Sequence, residues 1–309
     1  MSIRNELRAS VEKIRGYRVP PSVKDVRGVE VFSSMHIEWN SSLGLGFASP
    51  MPDEEVLNAF YSTIYRRVMT KKRGFDHYLG SPNYRAQTRS QVEWVRSVAP
   101  TSGTWLDVGA GFGLLLWTVN QMMPAWSLHA VEPDEETSAG LREFAKVHTD
   151  FPAFWKREAF GENLFDVVSV SHVLEHLIDP VECLNVLFHY LKPGGLLLIE
   201  VPNDSLTELL SSNRCSDMPH LWFFSFDGFI RIIEAAGFQV RRASTLGLKR
   251  PGSDESFFVR MRRAVARRIH GPLANLDDPT WYSEGIDRTD LRILARKPNI
   301  DEVVDTVVK

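Results

Sequence analysis

The stretch Thr104-Trp-Leu-Asp-Val-Gly-Ala-Gly-Phe-Gly113, TWLDVGAGFG, decides how the rest of the chain is read. Its first half is a short apolar run of the strand kind. Gly109, Gly111 and Gly113 follow at alternate positions, and GLLLWTVNQMM (residues 113–123) then takes up a helical texture. A strand ending in a glycine turn lets a ligand approach bare backbone, because glycine accepts φ > 0 and has no Cβ in the way. Ligands of open α/β sheets sit at the carboxyl ends of the strands, where this turn falls. The next predicted strand, WSLHAVEP, carries Glu132 at its end, followed by Pro133. An acid there can accept two hydrogen bonds from a ribose diol. The dinucleotide fingerprint G-x-G-x-x-G is not met, because Leu114 stands at its last glycine. The pattern is G-x-G-x-G, with Asp107 two residues ahead of it.

Outward from this turn, short apolar runs alternate with helical patterns. LFDVVSVS (164–171) and GLLLIEVP (195–202) are nearly continuous in Val, Ile and Leu, as strands buried on both faces should be. The helix between them has Asp179 as N-cap, Pro180 at N1, Glu182 at N3 and a Lys-Pro-Gly-Gly stop. SFDGFIRIIEAAGFQVRRAST (225–245) adds a helix and a strand, and DLRILARKP (290–298) a last strand. Such alternation predicts a doubly wound α/β domain over 101–297 with a mostly parallel sheet. Ahead of it, 51–100 reads as a helical cap and 1–50 as an extension of mixed texture. Residues 298–309 form a tail.

A basic insertion at about 247–288 precedes the last strand. Residues 241–270 hold nine Lys/Arg against two Asp/Glu, in a chain whose net charge is -3. This asymmetry suggests an anionic partner. SFFVRMRRAVARRIHG within it sets Phe258, Met261 and Val265 on one helical face, so peripheral membrane contact through 256–270 is conceivable. The overall charge argues against general nucleic-acid binding. Two cysteines, Cys183 and Cys215, exclude a disulfide framework and a cysteine-rich zinc module. No apolar leader or span is read, so a cytoplasmic protein, monomer or homodimer, is expected.

The ordered segments LDVGAGFG, HAVEP, FDVVSVSHVLEHLIDP…LKPGGLLLIEVPN and HLWFFSFDGFIRIIEAAGF together resemble the class I S-adenosylmethionine-dependent methyltransferases. The resemblance implies a Rossmann-like fold with a mostly parallel seven-stranded sheet. It implies S-adenosylmethionine as cofactor and S-adenosylhomocysteine as product. Asp107, Gly109, Ala110 and Gly111 match the turn against the methionine part, and Glu132, with Pro133, matches the ribose-binding acid. Ser171 and His172 match positions facing the cofactor and the transfer site. The loop KREAFGENLFD would border the adenine, with no residue assigned.

The segment ASPMPDEEVLNAFYSTIYRR (48–67) is similar to a motif of the superfamily's sugar and cell-surface glycan branch. There it often follows a cysteine-ligated zinc module. Here VFSSMHIEWNSSLGLGF lacks cysteine, which implies a degenerate, metal-free remnant. In that branch a histidine after the fifth strand serves as base, and His220 of DMPHLWFFS falls on it; Asp217 replaces the branch's tyrosine. The implied acceptor is a sugar or glycan, and the basic segment 241–270 suggests one linked to a nucleotide or lipid phosphate. Tyr78 and Tyr84 could close over the cofactor. A nicotinamide-dependent oxidoreductase and a non-catalytic binding module are the competing readings.

Residues His172–His176, HVLEH, also carry the H-x-x-E-H order of one class of zinc peptidases. Such a pair needs a helix holding both histidines on one face, and a third ligand. His172 follows directly from a predicted strand, and a fresh helix is capped at Asp179. No metal is therefore expected, and His172, His176 and His220 are read as acceptor-side groups.

Overall fold

A computed structural model describes residues 11–17, 35–61, 74–204, 220–248, 282–284 and 289–299. The strands are β1 (Val11–Tyr17), β2 (Met35–Asn40), β3 (Leu45–Ser49), β4 (Gly103–Val108), β5 (Trp126–Val131), β6 (Lys146–His148), β7 (Phe165–Ser171), β8 (Leu191–Pro202), β9 (Trp222–Phe224), β10 (Gln239–Leu248), β11 (Tyr282–Glu284) and β12 (Asp290–Arg296). The helices are α1 (Glu54–Ala59), α2 (Phe75–Gly80), α3 (Pro82–Arg96), α4 (Leu114–Met122), α5 (Glu135–Ser138), α6 (Phe151–Trp155), α7 (Pro180–Tyr190) and α8 (Phe226–Ala235).

The main sheet runs β11-β10-β12-β8-β7-β4-β5-β6. Strands β8, β7, β4, β5 and β6 are mutually parallel, and β12 lies antiparallel between β8 and β10. The expected Rossmann-like sheet is thus present, with an eighth strand added. That strand, β11, lies within the segment read as a helical insertion, and pairs its three residues with the end of β10. The remainder of the basic insertion, including 256–270, lies outside the described residues, as do Asp217 and the C-terminal tail beyond residue 299. No helix among the described residues is long and apolar enough to cross a membrane.

The helix signals read from the sequence act as caps. The Asp179 carboxylate accepts from the Glu182 N–H at 2.9 Å, and the Ser225 hydroxyl accepts from the Gly228 N–H at 3.2 Å. Both faces of the sheet are covered, by one cluster around Leu106, Val168, Ile199 and Phe229 and another around Trp105, Leu116, Val119 and Trp126.

The N-terminal extension is more ordered than its texture suggested. Strands β1, β2 and β3 form an antiparallel sheet completed by β9, which comes from far along the chain. Ile37, Trp39, Leu45 and Ala48 are buried in it. Its hairpin turn at Gly44 abuts the start of α8, where Ser225 Oγ donates to the Gly44 carbonyl at 2.7 Å. This second sheet packs into the same core as the main one. It fixes the position of His220, directly ahead of β9.

Candidate functional site

A cleft of about 320 Å³ opens at the carboxyl ends of β4, β5 and β7. One end is formed by Asp107, the backbone from Gly109 to Gly113, Glu132 and Pro133. The other end is lined by Tyr61, Gln87, Ser171, His172 and His176, while Tyr78 and Tyr84 lie beside Phe112 of the glycine turn. All of the cofactor-side residues picked from the sequence therefore meet in one place.

The glycine turn has steric reasons. Gly109 has φ +70°, and a Cβ there would stand 2.4 Å from Val173 Cγ2. Gly113 has φ +82°, and its Cβ would meet Leu141 Cδ2 at 2.1 Å. A side chain at either position would strain the backbone and displace the packing that shapes the cleft. The Glu132 carboxylate braces the turn, accepting from the Gly111 N–H at 2.8 Å and from the Asp134 N–H at 3.2 Å. It also lines the cleft. The Asp107 carboxyl is buried and accepts from the Ser169 hydroxyl at 2.6 Å. Burial pushes it up, the Ser169 hydroxyl pulls it partly back and the Glu132 charge adds to the rise, so it titrates at about 7.

At the other end, His172 leaves β7 with φ +54°, a left-handed conformation uncommon for a non-glycine residue. Its backbone N–H is held by the Glu200 carbonyl at 2.9 Å. The ring then stands among three carboxylates, 3.4 Å from Glu175 Oε1, 3.6 Å from Glu200 Oε1 and 3.9 Å from Asp290 Oδ1. Burial alone would lower its pKa, but these carboxylates outweigh it and hold His172 well above the ordinary histidine value. These carboxylates favour its charged form, which suits holding an acceptor or a charge rather than taking a proton.

Glu200 anchors this wall. It is fully buried, as is Arg292, whose Nε–H donates to Glu200 Oε2 at 2.5 Å across the β8–β12 register pair. Gln91 donates to Glu200 Oε2 at 3.3 Å, and Gln87 to Oε1 at 2.5 Å. These glutamines lie four apart on α3, so one helix face presents both. Tyr282 of the edge strand donates to Glu200 at 2.9 Å. Gln91 also donates to the Ser171 hydroxyl at 3.0 Å. This network was not picked from the sequence, although two signals pointed to it. An acid inside LLLIEVP and an arginine inside LRILA each need a buried partner.

Tyr78 and Tyr84 do line the cleft, Tyr78 stacking on Phe112 at 5.3 Å and meeting Tyr84 at 4.8 Å between ring centroids. No residue of the loop KREAFGENLFD is among the residues lining it. His176 lies on a 3-10 turn, Leu174–His176, buried yet forming part of the cleft wall. His220 stands 4.9 Å from His176 between ring centroids and is not among the lining residues. Burial and the neighbouring His176 lower its pKa to about 3, with Glu175 pulling it partly back.

Three comparisons bear on this geometry. A family described as a methyltransferase domain matches residues 84–243, just over half of the chain. A tRNA U34 carboxymethyltransferase of Idiomarina loihiensis is 27% identical over 227 residues, covering 67% of this chain and 68% of that protein. A ubiquinone biosynthesis O-methyltransferase of Caulobacter vibrioides is 30% identical over 115 residues, covering 36% of this chain and 46% of its own length. Among solved structures, an S-adenosylmethionine-dependent methyltransferase from Thermotoga maritima, described as a possible histamine N-methyltransferase, superposes with a TM-score of 0.52. It is 18% identical, and covers 76% of this chain and 98% of its own. That likeness is one of fold.

Proposed function

The chain belongs to the methyltransferase-domain family and is an S-adenosylmethionine-dependent enzyme, and we propose that its acceptor is a hydroxyl of a small sugar or glycan-type molecule. The observation that carries this reading is the cleft's division into two unlike ends. The glycine turn, which has no room for side chains at Gly109 and Gly113, lines the cleft beside two acids, an arrangement that suits a ligand with an ammonium and a ribose diol. Asp107 with the backbone of Gly109, Ala110 and Gly111 would hold the methionine part, and Glu132, next to Pro133, the ribose hydroxyls. The bound cofactor supplies a sulfonium methyl that is already a good electrophile.

What remains for the protein is alignment, which can be worth several orders of magnitude in rate. Ser171 and His172, at the end of β7, line the cleft. The acceptor end presents Tyr61, Gln87 and His172, a polar wall suited to a hydroxylated molecule. His172 and His176 would orient the acceptor. A phosphate on that acceptor would be met by the basic insertion, and charge reversal of Arg262, Arg263 and Arg267 should then raise KM.

Calorimetry with S-adenosylmethionine, S-adenosylhomocysteine and NAD tests the cofactor end, with heat expected from the two sulfur ligands. Transfer of labelled methyl to nucleotide-linked and lipid-linked sugars tests the acceptor. A second reading, an RNA nucleoside as acceptor, is favoured by the relatives named for tRNA U34. Label appearing in tRNA and in none of the sugars would replace the sugar proposal with it.

A further inference from the structure

We infer that Glu175, His176 and His220 form a binding site for one divalent transition-metal ion of the zinc or manganese kind, behind the acceptor-side wall of the cleft. One ligand-capable atom from each lies within 4.8 Å of the other two. One carboxylate and two imidazoles are a donor set these ions take, with a further position open. Zinc–ligand bonds of roughly 2.0–2.2 Å would draw the three atoms to about 3.4 Å apart, a contraction within reach of side-chain rotation.

An independent observation points to a cation at this position. Glu175 is fully buried, and neither of its carboxylate oxygens accepts a hydrogen bond. Buried carboxylates are ordinarily hydrogen-bonded, ion-paired or bound to a metal. The nearest nitrogens are His172 Nδ1 at 3.4 Å and His176 Nε2 at 3.7 Å. His172 also faces Glu200 and Asp290, so its single charge is divided among three carboxylates.

The fold holds the three in place before any ion arrives. Glu175 and His176 share the 3-10 turn, and the Leu221 N–H donates to the Glu175 carbonyl at 2.7 Å. The Leu221 carbonyl in turn accepts from the Ala48 N–H at 2.8 Å, so the N-terminal sheet pins His220 against the turn. These ligands differ from the zinc-peptidase pairing of HVLEH. Glu175 acts as a ligand instead of a base, and the third ligand, His220, arrives from the segment ahead of β9 in place of His172. The other acid–histidine group, His172, Glu200 and Asp290, already receives the Arg292 guanidinium and needs no ion. The inference holds for any acceptor, since it concerns the ion alone.

The full chain, stripped with a chelator, would be titrated with Zn²⁺ by calorimetry and with Co²⁺ by visible absorption. One ion per chain is expected, with ligand-field bands of a nitrogen–oxygen site. H220Q and E175Q should each weaken binding at least about tenfold, while H189Q, distant from the site, should not. Retained S-adenosylmethionine binding would certify that each variant is folded. Wild-type protein that binds S-adenosylmethionine but no ion would overturn the inference, as would ion binding that survives in the H176Q/H220Q double variant. If that variant fails to fold, the wild-type cobalt spectrum decides alone, and absent bands would leave an imidazole–carboxylate cluster.

Discussion

At Asp107, burial and the nearby Glu132 keep a proton on the carboxyl up to about pH 7, where an unfolded chain would lose it near 3.8. The sign follows directly. Its contribution to stability is full below about pH 4 and is lost as pH rises through 7. A cationic ligand at Asp107 reverses this by favouring the charged form. Cofactor binding at about pH 6 should therefore release close to one proton, falling towards none by about pH 8. Calorimetry in two buffers of different ionisation heat measures this, and the absence of proton release at the lower pH would remove Asp107 from the cofactor site. Glu132→Ala should weaken cofactor binding at least about tenfold, since a charge-assisted contact is worth roughly 1.5–3 kcal/mol. Part of that loss is structural, because Glu132 also braces the Gly111 N–H. Glu132→Gln, which keeps one oxygen acceptor, should lose less; equal affinities for wild type and Glu132→Ala would exclude the ribose role. Both residues were legible in the sequence, because their task depends on a local strand-turn-helix pattern. The position of His220 beside His176 depends on the pairing of β9 with β3, which local pattern does not reveal.

At the scale of elements, the wall between α3, β8 and β12 depends on one buried ion pair. Glu200 and Arg292 meet because β12 inserts antiparallel beside β8 with these two residues in register. Arg292→Met would leave a buried carboxylate short of its cation and should cost about 3–5 kcal/mol. At roughly 2–4 °C per kcal/mol for a domain of this size, the melting temperature should fall by about 10 °C. The double change Glu200→Met with Arg292→Met should recover part of that loss, because an apolar pair removes the unpaired charge. A melting temperature unmoved by Arg292→Met would show that the glutamines and Tyr282 suffice for Glu200. The strands themselves were readable as apolar runs. Their antiparallel register, which alone brings this acid and arginine together, was not.

At the scale of the whole molecule, the two sheets share one core. Removal of residues 1–50 would uncover β9 and the face holding Trp222 and Phe224, which are buried against β3 and its neighbours. Exposing such side chains costs about 1.5–3 kcal/mol each. The truncated chain should therefore melt at least about 10 °C lower or fail to stay soluble, as thermal scans and gel filtration would report. A melting temperature within about 2 °C of the full chain would mean the extension is dispensable to the core.

The residues alone determined the alternating α/β domain, its helix caps, the glycine turn and the acids beside it, because each rests on neighbours within about one strand-turn-helix unit. The tertiary structure alone decided the second sheet, the Glu200–Arg292 wall and the meeting of Glu175, His176 and His220. Those features join residues far apart in the chain, and burial sets their charges. Pairing partner and local dielectric are properties of the packed molecule, and HVLEH read by itself contains neither.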